Sequence, residues 1–514
     1  MGPKQLRTLQ TVVGIAVVAM LSISLAAISV VRADDAEGEL VAAGGTDDLG
    51  GGDDFSSSGG FSPADDGASG SDPSSDGTGG DGTTSLTGRT GTTGGSGGGG
   101  DEATSGGGGG GGDGGTQAQA QGSGGGGGGG ACPDLNPEEG VYCDRWLVGG
   151  TTILSGPLAI YGEQGLKGGQ AWIEYFRRTL APEVGARPSQ LIYYDDNLEP
   201  RKTLQFTQKL VEEDKVLLIG GVTNPGAVAG YLEEQGVAFI GDLGLNPGSY
   251  ESSSIFPTSA PFEVSFQLRA RTAKRQGATS ISVIQDVLPA SDPAVFERLW
   301  EQAAQKEGLD LLSFQPIYSQ ANTCDSRMLN VIREQPDWVM LPVAAAPMLG
   351  CMREAASQQY KPGAVTAGNL INWSGGSNLA FEVEQCGSQC FGMYSGGTPF
   401  LDPRTNPSPQ AKAYIENMAK YAPGIDVTGF IAINYYHAGL LQFEVMRQGG
   451  ILQNLSRANV LAAAEGFGPF ETGFGNTVHW EAGRVPRVPT TCGYEVILDP
   501  DQRQWVFQTE KLCL

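Results

Sequence analysis

Few side chains in this sequence stand at a spacing that does chemistry. Asp195 and Asp196 are adjacent carboxylates, a pair that can divide acid and base roles. His437 and His479 are the chain's two imidazoles. Cys386-Gly-Ser-Gln-Cys390 is loosely spaced for zinc, with no second pair near it. Gly162-x-x-Gly165-x-x-Gly168 fits neither the dinucleotide G-x-G-x-x-G nor the phosphate loop G-x-x-x-x-G-K-[ST], and no G-x-S-x-G elbow occurs. A plainer reading outweighs each of these. Adjacent acids at a strand end fix a loop. His437 lies in the helical run INYYHAGLLQFEVM as a packed residue, and His479 precedes Trp480 in a short strand. The expectation is no enzyme, no metal and no cofactor.

The elements that hold these residues alternate. A β-branched run, WLVGGTTIL (146–154), reads as a strand. It breaks at Ser155-Gly156-Pro157, turns through Tyr161-Gly162, and continues as a helix with Gly165, Gly168 and Gly169 in its first turns. Such a sequence suggests that something small approaches the turn. Strands are expected at 189–197, 215–221 and 237–242, with helices at 200–214 and 225–236 between them. KVLLIGG (215–221) is a continuous apolar run, as in a parallel strand buried on both faces. The alternation restarts with strands at 280–286, 309–318, 337–343 and 363–368 and helices at 292–306, 325–334 and 346–358. Helices at 407–421 and 428–448 follow, then short strands near 477–480, 494–498 and 504–507. Two runs of βα units mean two α/β lobes, each an open, mostly parallel sheet flanked by helices. The strand ends are rich in Gly, Asn and Thr, which suits a small ligand carrying a carboxylate or amide. Taken singly, each such residue is as well explained by a cap or a turn.

Composition limits what surrounds these lobes. Residues 34–131 are expected to be a disordered Gly/Ser/Asp-rich linker. Residues 34–130 hold 39 of the chain's 80 glycines, and 16 acids against Arg89 alone. That segment therefore carries much of the net charge of −25. No Lys/Arg stripe occurs, which argues against nucleic acid as a partner. Residues 1–33 carry an export signal or membrane anchor: Thr11 to Val31 is free of charge, with Lys4 and Arg7 before it and Asp34, Asp35 and Glu37 after it. Val31-Arg32-Ala33 is a poor cleavage site and the run is long enough to span a bilayer, so an anchor is favoured over a cleaved, secreted form. The body then lies outside the cytoplasm. Eight cysteines fit that place: Cys132, Cys143, Cys324, Cys351, Cys386, Cys390, Cys492 and Cys513. Nearest-neighbour pairing is expected, though sequence does not establish connectivity.

Several segments in order resemble the type I periplasmic solute-binding proteins, in particular the leucine/isoleucine/valine-binding protein of ABC importers. They are SGPLAIYGEQGLKGG (155–169), YYDDNLEPRKTLQFTQKLVEEDKVLLIGGVTNP (193–225) and GPFETGFGNTVHWEAG (468–483), within a likeness spanning about 146–507. The resemblance implies a two-lobed fold closing on a small-molecule solute, delivery to ABC permease subunits, and a monomer. It implies that Ser155, Tyr161, Thr223 and Asn224 face the ligand and that Leu243, Gly244 and Leu245 offer backbone N–H groups to a carboxylate. In the second lobe, Asn369 stands where amino-acid binders carry an acid, and Ala290 and Ala344 stand at two aromatic positions. A buried ammonium without a carboxylate is costly. An amide, a carboxylate or a modified amino acid is therefore expected rather than a branched-chain amino acid. Lobe one is expected at 145–263 and 397–485, and lobe two at 264–396 and 486–514. The alternative is an anchored ligand-sensing receptor or surface-interaction module on the same fold. It would need a signalling partner, since ten residues precede Thr11.

Overall fold

The computed structural model describes residues 118–119 and 136–514, apart from 157, 243–246, 288–290, 319–323, 343–344, 361–370, 375–382, 385–389, 391, 399 and 500. Outside this set lie the export segment, nearly all of the linker, the strand expected at 363–368, and Cys132, Leu243, Gly244, Leu245, Ala290, Ala344, Asn369 and Cys386. Among the described residues no helix is long and apolar enough to cross a membrane.

The first sheet takes its strands from β1 (Trp146–Thr152), β2 (Ser189–Asp195), β3 (Leu218–Gly221), β4 (Phe239–Asp242) and β5 (Ile255–Pro257). Their order is β2-β1-β3-β4-β5, all parallel, with Ala118–Gln119 antiparallel along the edge of β2. Residues alternate between its two faces, and each face has its own core. Trp146, Val148, Leu218 and Ile240 pack with helices α1 (Ala159–Tyr175), α8 (Pro409–Tyr421) and α9 (Phe430–Gln448). Leu147, Ile192 and Ile219 pack with α2 (Pro200–Glu212) and α3 (Pro225–Gln235). Full burial on both faces explains the unbroken apolar runs.

The second sheet repeats this order. It contains β6 (Ser280–Val287), β7 (Asp310–Tyr318), β8 (Trp338–Leu341), β9 (Ile371–Ser374) and β10 (Tyr394–Thr398), arranged β7-β6-β8-β9-β10 in parallel. An antiparallel hairpin, β13 (Cys492–Asp499) with β14 (Gln504–Cys513), then extends the sheet from β10. Helices α4 (Phe262–Arg275) and α5 (Pro293–Glu307) cover one face through Phe266 and Trp300. On the other face, α6 (Asp325–Glu334) and α7 (Ala345–Ser357) contribute Met328, Val331 and Met352.

Several boundaries differ from the sequence reading. Helix α1 begins at Ala159, so Tyr161 and Gly162 lie in its first turn rather than in a turn before it. Its N-cap, Leu158, has no capping side chain, so nothing in the sequence marks the start. The glycines of α1 answer to packing within the chain. A Cβ on Gly162 would lie 1.8 Å from the Ile153 carbonyl oxygen, and one on Gly168 would lie 2.2 Å from that of Ala432 in α9. Only glycine admits such close backbone approach. Strand β3 starts at Leu218, three residues late, because Lys215 turns the chain with φ +60°. His479 lies beyond the hairpin of β11 (Phe470–Glu471) and β12 (Thr477–Val478), not in it. Strand β9, helix α4 and helix α10 (Arg457–Glu465) went unread.

Cys324 pairs with Cys351 and Cys492 with Cys513. Cys143 and Cys390 are also disulfide-bonded. Cys324 is the N-cap of α6 and Cys351 lies in the middle of α7; both are fully buried. The Cys324–Cys351 bond closes a loop with a sequence separation of 27. Loop-closure entropy of that length gives about 3.5 kcal/mol. The Cys324→Ser, Cys351→Ser double variant is expected to lose about that much in urea unfolding. A loss under about 1 kcal/mol would contradict it.

Candidate functional site

In an open parallel sheet of this order, neighbouring connections depart to opposite faces at the first strand, which leaves a crevice at the carboxyl ends of β1 and β3. Register fixes what meets there. Gly150 pairs with Tyr193 on one side and Gly221 on the other, and Thr152 pairs with Asp195. Ser155, Thr223 and Asn224 follow those strand ends.

One buried carboxylate organises the floor. Asp196 is fully buried, and its Oδ2 accepts hydrogen bonds from the hydroxyls of Thr151 (2.6 Å), Thr203 (2.7 Å) and Thr223 (2.6 Å). Its Oδ1 accepts from the Leu198 backbone N–H at 3.2 Å. The Asn224 Nδ2 donates to Thr203 Oγ1 (3.0 Å) and Thr223 Oγ1 (2.8 Å). Burial pushes the Asp196 carboxyl above its ordinary range, and the three hydroxyls and the Leu198 N–H oppose that shift. Asp195 is similarly engaged, with Oδ1 accepting from the N–H groups of Leu154 (2.9 Å) and Asn197 (3.1 Å). The two acids therefore tie the ends of β1, β2 and β3 together. Neither stands as a free acid or base.

The opposite face of the crevice is aromatic. Tyr435, on α9, lies 3.4 Å through its hydroxyl from Thr152 Oγ1. A Cβ on Gly165 would meet its ring at 2.8 Å, and one on Gly221 at 3.5 Å. Burial raises the Tyr435 phenol, which stays a neutral donor. The Tyr193 ring centroid is 6.2 Å from that of Tyr435. Tyr161 precedes Gly165 by four residues, one turn nearer the strand ends on the same face of α1. Tyr435 was missed in the sequence because it lies inside a long apolar helix. The only hint was the pair of glycines that make room for its ring.

The residues expected at the site are distributed as follows. Ser155 is exposed in the bend after β1; Tyr161 is half-buried in the first turn of α1; Thr223 is half-buried after β3. Asn224 is 2% exposed, with its amide turned to the two threonines. In the second sheet the corresponding crevice lies at the ends of β6 and β8, where Asp286 N–H donates to the Pro342 carbonyl at 3.1 Å. The chain beyond those ends, including Ala290 and Ala344, lies outside the described residues. His437 is not near this chemistry. It is fully buried, its ring edge-on to Phe400 and Phe474. Among the described residues no group of three or more His, Cys, Asp or Glu gathers as a metal site.

Comparison with known proteins agrees with this architecture. The periplasmic binding protein family matches residues 146–494. No curated protein sequence matches. Among solved structures, the chain is similar to a fatty acid ABC transporter substrate-binding protein from Thermomonospora curvata, with TM-score 0.61 and 16% identity over 73% of this chain and 94% of that one. It is similar to an ABC transporter solute-binding protein from R. palustris in complex with 4-hydroxybenzoate, with TM-score 0.58 and 20% identity over 72% and 97%. It is also similar to a branched-chain amino acid transporter substrate-binding protein from Streptococcus pneumoniae in complex with isoleucine, with TM-score 0.56 and 15% identity over 71% and 99%. These likenesses carry the two-lobed fold, and the matched family is one of solute-binding proteins rather than enzymes. With its match spanning both sheets, this chain belongs to the periplasmic binding protein family.

Proposed function

We propose that this chain is the extracytoplasmic solute-binding component of an ABC importer. It takes a small amide, carboxylate or modified amino acid between its two lobes. The observation that carries the reading is the crevice at β1 and β3. Ser155, Tyr161 and Thr223 reach solvent there, while both neighbouring carboxylates are engaged by the chain's own donors. Among the described residues of this crevice both carboxylates are already engaged, which suits a solute with little positive charge. Leu243, Gly244 and Leu245 would add backbone donors from the first lobe, and Ala344 and Asn369 would close from the second.

Lobe one would comprise 145–263 and 397–485, and lobe two 264–396 and 486–514. Support comes from the return of α8 and α9 to the first core and of β13 and β14 to the second sheet. A ligand that touches both lobes closes them by hinge motion. Residues 1–33 would anchor the protein, and the Gly-rich segment after them would tether the lobes to that anchor.

A thermal-shift screen of amides, carboxylates and amino acids, followed by calorimetry, tests the reading. Tyr161→Ala is expected to cost roughly 1–3 kcal/mol of affinity for the solute found, with little change in melting temperature. Unchanged affinity with a lowered melting temperature would assign the ring to packing and remove it from the site.

A further inference from the structure

The hydroxyl of Thr223 has a fixed direction. A hydroxyl carries one proton and two lone pairs. Thr223 Oγ1 donates to Asp196 Oδ2 at 2.6 Å, and that contact uses the threonine proton. The amide nitrogen of Asn224 only donates, so its contact of 2.8 Å uses one threonine lone pair. Thr203 lies 3.3 Å away, but its own proton also points at Asp196 and it too accepts from Asn224. Thr151 and Thr203 are fully buried, and of the three threonines on Asp196 only Thr223 is partly exposed as a residue. What Thr223 shows the crevice is therefore a lone pair.

We infer that Thr223 is a specificity-determining residue that accepts a hydrogen bond from the solute, so the group placed against it is a hydroxyl, an amide N–H or an ammonium, and not a carboxylate. Asp196 is the positioning residue behind it. By taking the protons of three threonines at once, it turns a site that looks like a row of donors into one that presents an acceptor. A carboxylate on the same solute must find its donors elsewhere. This inference rests on the reading of the β1–β3 crevice as the solute site, and it decides which end of the solute faces the first lobe there.

Two measurements on the full chain test it. The first needs no ligand: neutron diffraction from crystals exchanged into heavy water locates the deuterium on Thr223 Oγ1. Density directed at Asp196 supports the inference, and density directed into the crevice overturns it. The second is calorimetry with matched probes: 4-hydroxybenzoate against 4-methoxybenzoate, and benzamide against N,N-dimethylbenzamide. For a parent that binds, Thr223→Val is expected to weaken it about tenfold, Thr223→Ser to retain it, and the donor-capped analogue to bind the wild type and Thr223→Val alike. Equal losses for parent and capped analogue in Thr223→Val, with Thr223→Ser intact, would overturn the inference. If none of the four probes binds, the loss falls on the proposed solute classes, and the neutron map still decides the direction of the hydroxyl.

Discussion

Replacing Asp196 with alanine is expected to cost about 3 kcal/mol of folding stability, one of the largest losses available to a single substitution in this chain. The carboxylate is the shared acceptor for Thr151, Thr203 and Thr223 and for the Leu198 N–H. Thr203 has a second acceptor in the Glu199 carbonyl at 3.1 Å, so it can redirect its proton. Thr151 is fully buried, and the structure gives its side chain no other acceptor. An orphaned hydroxyl in a dry setting costs about 1–3 kcal/mol, to which the cavity left by the carboxylate adds. The effect should reach function as well, because the same bonds hold the ends of β1, β2 and β3 in one crevice. Asp196→Asn keeps the volume but turns donors toward donors, and should recover little. Urea unfolding at constant m-value measures the loss. A change under about 1 kcal/mol in Asp196→Ala would mean the threonines find other partners.

Acid is expected to destabilise the protein through His437. The imidazole is fully buried, and neither ring nitrogen has a hydrogen-bond partner among the described residues. Burial lowers its pKa from 6.5 to about 3. Above pH 6.5 both folded and unfolded chains hold it neutral. As pH falls from 6.5 towards 3 the unfolded chain takes up a proton that the folded chain refuses, so stability is lost across that window. Each pKa unit is worth about 1.4 kcal/mol, and the complete loss at this residue would be about 4–5 kcal/mol. His437→Leu should match or exceed wild-type stability at pH 7 and remove this part of the acid loss. Parallel acid losses in the two proteins, followed by urea unfolding between pH 7 and pH 4, would show that His437 does not titrate as argued.

The alternation of apolar runs and amphipathic helices made β1 to β4 and β6 to β8 legible, while the short strands β5, β9 and β10 escaped it. Asp195-Asp196 was legible as a loop-fixing pair from its place at a strand end. What could not be read is the convergence on Asp196. Thr151, Thr203 and Thr223 lie on three different elements, and nothing in their spacing says that β1 stands between β2 and β3. Strand order is a property of pairing in space, and it made Thr223 a neighbour of Thr151. Tyr435 escaped for a related reason. On α9 nearly every residue is buried, so periodicity separates no face, and a ring that borders the crevice looks like its core neighbours. Helix α1 began early because Leu158 carries none of the side chains that announce a helix start.

Solute is expected to bind at the carboxyl ends of β1 and β3. Hydrogen–deuterium exchange of the full chain, with and without a saturating solute from the thermal-shift screen, tests it most directly. Added protection is expected to gather in 152–165 and 221–227, the segments that carry Ser155, Tyr161 and Thr223. Protection confined to α8, α9 and α10, with those two segments unchanged, would contradict it.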